Sequence, residues 1–363
     1  MKKLVNDFID RYFHDEESII LVLLLISGLV ILLFFGGVLA PLITAIIIAY
    51  LMQGLVNILL RYGVSARLAF VVVYTVFIGV FLLMLLFLLP SAWDQLRRLI
   101  SELPNLISQG QSSLMLLPEN YPNLFSEQQI LDFIGGMRGE LGGYGQSVLE
   151  YSLASIPSII GWIIFLVLVP ILVFFVMKDK IELMKWAGNF LPRNRPLMTR
   201  IWIEMDQQIS NYIRGKVLEI FIVGSVSYVM FVALGINYAL LLSVLVGLSV
   251  IVPYIGATVV TFPVAAVAYA QWGIGGEFYA VVIAYGILQL IDGNVLVPVI
   301  FSEAVNLHPV AIIAAVLVFG GIWGLAGVFF AIPLATLVKA IINSWPGKLH
   351  AIAISGQEDS NEA

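Results

Sequence analysis

The run QLIDGNVLVP, Gln289 to Pro298, sets a carboxylate, two carboxamides, a glycine and a proline inside an otherwise apolar stretch, Phe278–Ile300. An ionised side chain in the middle of a membrane span costs on the order of 2.5–3.5 kcal/mol on insertion scales, so Asp292 is a functional candidate by default. Gln289 lies three residues before it on the same helical face. Asn294 adds a nearby amide, Gly293 loosens the helix, and Pro298 withholds a backbone donor downstream. Such a group can bind a cation, carry a proton or hydrogen-bond a polar solute. The competing reading is a structural acid, neutral or paired with a base on another helix. Glu219 is the second candidate. It sits about a turn inside its span, beside Arg214 and Lys216, where an interfacial or ion-paired glutamate is the alternative.

Enzymatic chemistry finds no support. The chain has no cysteine, so thiolate catalysis and Cys-bound zinc are excluded. No HExxH, GxxxxGK[ST] or GxSxG occurs, and His14, His308 and His350 lie near ends or in loops. The expectation is no enzyme, no metal site and no bound cofactor, with H⁺ or Na⁺ as a coupling ion. No nucleic-acid partner is expected.

The elements that must position Asp292 are membrane helices. Hydrophobic residues make up 61% of the chain and charged residues 11%, far below the roughly one quarter of soluble domains. Several apolar runs reach the ~20 residues that cross a bilayer as helix. The spacing predicts six full spans: Ile19–Phe35, Val38–Leu60, Leu68–Leu89, Ile156–Met177, Val217–Leu234 and Phe278–Ile300. Two further stretches, Asn237–Ala270 and Asn306–Ala340, resemble one another when Asn237 is laid on Asn306. That alignment sets the break Pro253–Gly256 on Trp323–Ala326 and Pro263 on Pro333. Paired, interrupted apolar segments point to a transporter's binding site. The arms Ala239–Val252 and Ala257–Ala270 are each about 14 residues long, or about 21 Å as helix, short of a ~30 Å hydrocarbon core. They are read as re-entrant hairpins; one long kinked span is the alternative. Gly320, Gly321, Gly324 and Gly327 would open the second break as Pro253 and Gly256 open the first. Ser243, Ser249, Thr258 and Thr261 could add hydroxyls, or simply bond back within their helices.

The fold class is therefore an all-α polytopic membrane protein with eight membrane segments, six spans and two hairpins, and an inverted repeat in the C-terminal half. Its expected divisions are a cytoplasmic N-terminal segment 1–18, scaffold spans 19–90, an external helical domain 91–153, span 154–177, a cytoplasmic amphipathic linker 178–216, a transport module 217–342 and a tail 343–363. Lys178–Lys216 carries eight of the 18 Lys and Arg residues and is placed in the cytoplasm, with both termini. Ser91–Leu153, with three basic and seven acidic residues, is placed outside. In that external segment Trp93, Leu96, Ile100, Leu103 and Ile107 form one apolar helical stripe.

The runs FFVMKDKIELMKWAGNFLP, DQQISNYIRGKVLE, VPYIG, QLIDGNVLVPVIFSEAVNLHP and GIWGLAGVFFAIPLATLVKA fall in order across Phe174–Ala340. Together they resemble the autoinducer-2 exporter family of bacterial permeases, including its PerM-type members. The resemblance implies an inner-membrane secondary transporter that assembles as a homo-oligomer, a pentamer in this type. Members have been linked to export of the signal autoinducer-2 and others to sodium–proton antiport. By position, the resemblance marks Asp206, Tyr212, Arg214, Gly215, Pro253, Gly256, Asp292, Asn294, Pro298, Pro309, Gly324, Gly327 and Pro333. Many members carry glutamate where this chain has Asp292, so the carboxylate has a shorter reach here. The expected function is alternating-access movement of a small polar solute such as autoinducer-2. The alternatives are Na⁺(Li⁺)/H⁺ antiport and a non-transporting membrane scaffold.

Overall fold

A computed structural model of the chain describes residues 16–115, 156–193, 195–253, 255–301 and 307–344, with isolated positions between 116 and 155. The segment before Glu16, most of the expected external domain beyond Met115, the Asn306 end of the second repeat and the tail after Ser344 lie outside the described residues. Every described element is helical. In chain order they are α1 (Glu16–Arg61), α2 (Ala66–Leu83), a π turn (Met84–Leu88), α3 (Leu89–Met115), α4 (Ile156–Lys178), α5 (Lys180–Gly188), α6 (Pro196–Ala233), α7 (Ala239–Ser249), α8 (Ile255–Trp272), α9 (Gly276–Ile291), a second π turn (Asp292–Leu296), α10 (Val297–Phe301), α11 (Pro309–Trp323) and α12 (Leu325–Ser344).

Six of the described stretches are long and apolar enough to cross a membrane: Ile19–Arg61, Ala66–Ser112, Gly161–Lys178, Pro196–Ala233, Ile255–Trp272 and Gly276–Phe301. Their membership corrects the expected set. The spans expected at Ile19–Phe35 and Val38–Leu60 are one helix of 46 residues. That is more than twice the length a perpendicular crossing needs. Gly36, Gly37 and Pro41 do not break it: Pro41 withholds one donor, but in apolar surroundings the helix still pairs the rest of the backbone. The amphipathic linker likewise runs straight into the fifth expected span, as the 38 residues of α6. Leu68–Leu89 and the external stripe join in the same way through the π turn at Met84–Leu88. Pro90, which has no N–H, follows that turn, and the Leu89 amide reaches back five residues to the Met84 carbonyl. Trp93, Ile100 and Leu103 of the stripe are exposed, and α3 packs on α7 and α8 instead.

The chain divides into two compact units. One comprises the residues up to Thr75, Ile171–Glu219 and those from Asn294 onward; the other comprises Val76–Pro170 and Ile220–Gly293. In the first, Leu21 of α1, Met198, Ile201 and Met205 of α6 and Ala340 of α12 form one buried cluster. A second joins Tyr212 and Ile213 of α6 to Ile332 of α12. In the second unit α7 packs on α8, and α8 on α9. There Gly224 and Gly247 bring α6 and α7 close enough for backbone contact, the use small residues have between membrane helices.

Candidate functional site

Asp292 is buried in the second unit, 8% exposed, at the junction of α9 and the π turn. Tyr285, Gln289 and Asp292 follow one another at spacings of four and three, which puts all three on one face of α9. That face meets α8. The Tyr285 hydroxyl donates to the Ala257 carbonyl at 3.0 Å, in the first turn of α8. The same hydroxyl lies within reach of the Thr261 and Gln289 side chains and feels the charge of Asp292. Gln289 Nε2 is buried and makes no well-formed hydrogen bond among the described residues, the Tyr285 oxygen being the acceptor within its reach. A carboxylate, a carboxamide with a donor to spare, a phenol and a threonine thus share one wall. Asn294, two residues further along the π turn, is exposed and falls in the first unit. The π turn has a local cause: Pro298 has no amide to give the Asn294 carbonyl, so the helix widens before it.

Gly256 is what brings the first turn of α8 this close. The helix α7 ends at Ser249, and the chain closes through bonds from Val252 N to Ser249 O (3.1 Å) and from Gly256 N to Val252 O (3.0 Å). A Cβ at Gly256 would run into the Ser249 carbonyl, so only glycine fits the tip. The second break is built alike in the first unit. There a Cβ at Gly327 would strike the Phe319 carbonyl, one at Gly320 would meet Val328, and Gly324 takes φ +60°. Both broken segments are thus helix–tip–helix pairs whose arms pack on each other. The arms are unequal, however. In each pair the first arm, α7 or α11, is shorter than the second, α8 or α12. The second arms approach the length of a full bilayer crossing, which the first arms do not. Ser243, Ser249 and Thr261 bond to the carbonyls of Leu240, Val246 and Ala257 in their own helices.

Each second arm is also held by a buried tyrosine, a feature that apolar periodicity does not reveal. Tyr285 holds α8, as above. In the first unit Tyr212, 2% exposed, donates to the Phe329 carbonyl of α12 at 2.9 Å. That carbonyl has no helical donor, because position 333, four residues on, is proline. Other positions that the resemblance marks on α6 also turn out to be contact points. The Tyr50 hydroxyl donates to Asp206 Oδ1 at 2.9 Å. The Arg214 guanidinium lies over Gly54, and Gly215 leaves room for Ile300 and Phe301. Glu219 is ion-paired: its Oε2 is 2.8 Å from Lys216 Nζ, and both side chains are nearly fully buried. Glu219, Gly320, Gly324 and Gly327 belong to the first unit; Asp292, Gln289, Pro253 and Gly256 belong to the second.

At the end of α8 far from Ala257, the second unit has a polar cavity of about 270 Å³. Glu102, Asn105, Asn237, Tyr238, Val267, Ala270 and Gln271 line it. Gln271 fixes its floor by accepting from the Asn237 amide (2.7 Å) and donating to the Gly235 carbonyl (2.9 Å). Tyr238 takes a left-handed φ of 59°. Its phenol pKa is pushed up to about 12, by desolvation first and by its hydrogen bond to Glu102 second.

Sequence comparison finds relatives along almost all of this architecture. PerM of Escherichia coli (strain K12), a permease by name, is 47% identical over 346 residues, 95% of this chain and 98% of that protein. YrrI of Bacillus subtilis (strain 168), a transport protein by name, is 28% identical over 304 residues, 83% of this chain and 85% of its own. The AI-2 transport protein TqsA of Escherichia coli (strain K12) is 24% identical over 313 residues, 85% of this chain and 87% of that protein. The family described as AI-2E family transporter matches residues 19–347, from the start of α1 to just past the end of α12. A match that takes in both broken segments and the Asp292 face leaves one assignment: the chain belongs to the AI-2E transporter family.

Proposed function

We propose that the chain is a secondary transporter that moves a small polar solute by alternating access, with Asp292 as the solute- and ion-responsive group. The carrying observation is the buried face Tyr285–Gln289–Asp292 set against the first turn of α8, beside the Gly256 tip. A carboxylate held in an apolar span is stable there only when protonated, paired or met by a ligand. Gln289 offers a buried amide donor, and Tyr285 and Thr261 offer hydroxyls, a set that matches a solute rich in hydroxyl groups. The two broken segments would act as inverted hairpins that enter from opposite sides, with Lys178–Lys216 cytoplasmic. Protonation of Asp292, or Na⁺ bound to it, would couple to hairpin movement. The polar cavity lined by Glu102, Asn237 and Tyr238 would serve as the mouth on the outer side. Autoinducer-2, a small polyhydroxylated furanosyl compound, is the first solute to test, since TqsA is named for its transport.

The test is flux in proteoliposomes, with autoinducer-2 inside and a pH or Na⁺ gradient across the membrane. Wild-type protein is expected to release solute faster than empty vesicles, and Asp292→Asn to lose the gradient dependence. Gradient-driven flux unchanged by Asp292→Asn would remove that residue from the mechanism.

A further inference from the structure

The first unit holds an open, basic cleft of about 790 Å³, remote in sequence from Asp292 and lined by Arg193, Arg195, Thr199, Arg200, Glu204 and Gln207 with Pro196 and Ile203. Three guanidinium groups face one carboxylate there, a local excess of two positive charges. Arg193 and Arg200 are exposed, and Arg195 is steadied by donating to the Gly188 carbonyl at 3.2 Å, at the end of α5. Guanidinium forks bind phosphate oxygens in pairs, which makes a phosphate the matching ligand.

The surroundings identify the source of that phosphate. α5 begins two residues after Lys178, the last residue of the candidate span Gly161–Lys178, so it starts at the bilayer surface by chain connection alone. From there to the cleft exposed Ile181, Met184, Trp186 and Phe190 alternate with exposed Lys180, Glu182 and Lys185, and exposed Trp202 and Ile203 follow on α6. Trp186 and Phe190 stack edge to face at 5.0 Å and are each about two-thirds exposed. Exposed tryptophan and phenylalanine beside arginine are the composition of a surface that sits at headgroup level. A soluble phosphate donor would need none of these apolar neighbours.

We infer that this cleft is a binding site for the phosphate headgroup of an anionic phospholipid, with Trp186, Phe190 and Trp202 seated among the adjoining acyl chains. The inference stands apart from the transport reading, because no residue of the cleft belongs to the Tyr285–Gln289–Asp292 face. Two net positive charges at a membrane surface correspond to roughly thirtyfold in affinity for an anionic over a zwitterionic headgroup.

The test uses the full chain purified in a neutral detergent, titrated with phosphatidylglycerol, with phosphatidylcholine or with inorganic phosphate, and followed by native mass spectrometry and thermal unfolding. Wild-type protein is expected to retain phosphatidylglycerol roughly thirtyfold more tightly than phosphatidylcholine and to lose the preference as salt rises. The variant R193Q/R195Q/R200Q is expected to lose it at low salt. R193Q/R200Q, which leaves the Arg195–Gly188 bond in place, should lose most of it and carries the test if the triple variant does not fold. W186S/F190S is expected to weaken both lipids alike while keeping the preference. Equal retention of the two lipids by wild type, or an unchanged preference in R193Q/R200Q, would overturn the inference. So would inorganic phosphate alone giving the full thermal shift, which would make the cleft a site for a free anion.

Discussion

Replacing Tyr212 with phenylalanine removes one oxygen from a packed site, and the structure sets how much that should cost. Hydrogen bonds between membrane helices average about 0.6 kcal/mol, because their partners usually keep other options. The Phe329 carbonyl has fewer. Pro333 denies it the i+4 amide, and it faces a tyrosine that is 2% exposed. Deleting the hydroxyl therefore leaves a buried acceptor unsatisfied, a loss of about 1–3 kcal/mol. The neighbouring rings of Phe301 and Phe329 still hold the phenyl group, so packing contributes little to the difference. The clean assay is a double-mutant cycle with Pro333→Ala, read by equilibrium unfolding in mixed detergent–SDS micelles. Alanine at 333 restores the missing N–H, so Tyr212→Phe in that background should cost about 0.6 kcal/mol or less. An equal cost in both backgrounds would refute the claim that the proline creates the need for the tyrosine.

Further perturbations follow from the same geometry. Gly256→Ala and Gly327→Ala each drive a methyl into a backbone carbonyl, at a cost of about 1–3 kcal/mol or more, and should lower the thermal midpoint; wild-type midpoints for both would contradict the tip geometry. Lys216→Met takes the charge partner from a buried Glu219 carboxylate and should destabilise the fold by about 3–5 kcal/mol, whereas Lys216→Met with Glu219→Gln should recover most of it. Unfolding curves in which the double variant is no better than the single would count against the ion pair. Gln271→Ala removes both side-chain bonds to the Gly235–Asn237 turn and should cost about 1–2 kcal/mol, with faster amide exchange at Asn237 as the local readout; unchanged exchange there would show that the turn's backbone bonds suffice.

Hydropathy makes the membrane class and most of the helical segments legible, because ~20 apolar residues can do little else in a chain of this composition. It misplaces the joints. Gly36–Gly37 and the stretch from Leu60 to Ala66, with its one glycine, both interrupt apolar runs. Only at Gly63, with φ +84°, does the chain turn, while the Gly36–Gly37 pair stays helical. Asp292 stands out as the one acid well inside a span, and Gln289 joins it by spacing. Asn294 stands beside them in sequence, but it falls in the first unit while they fall in the second. Tyr285 escapes a reading by residue type, although its helical spacing from Gln289 and Asp292 carries the signal. A tyrosine among apolar residues reads as core until its hydroxyl is seen to have a carbonyl to hold. Tyr212 is marked by family pattern alone. Its reason, a carbonyl orphaned by a proline on a helix far along the chain, is a tertiary fact.

Whether the wall formed by Tyr285, Gln289 and Asp292 opens to water and to solute decides the transport reading. The chain contains no cysteine, so a single Gln289→Cys substitution gives one thiol without background. Its rate of reaction with a membrane-impermeant thiol reagent, applied to each side of sealed vesicles, is the direct measurement. Alternating access requires reaction from both sides and protection by transported solute. A thiol that stays inert from both sides, while a lipid-soluble reagent labels it, would place this face against the hydrocarbon and contradict the account.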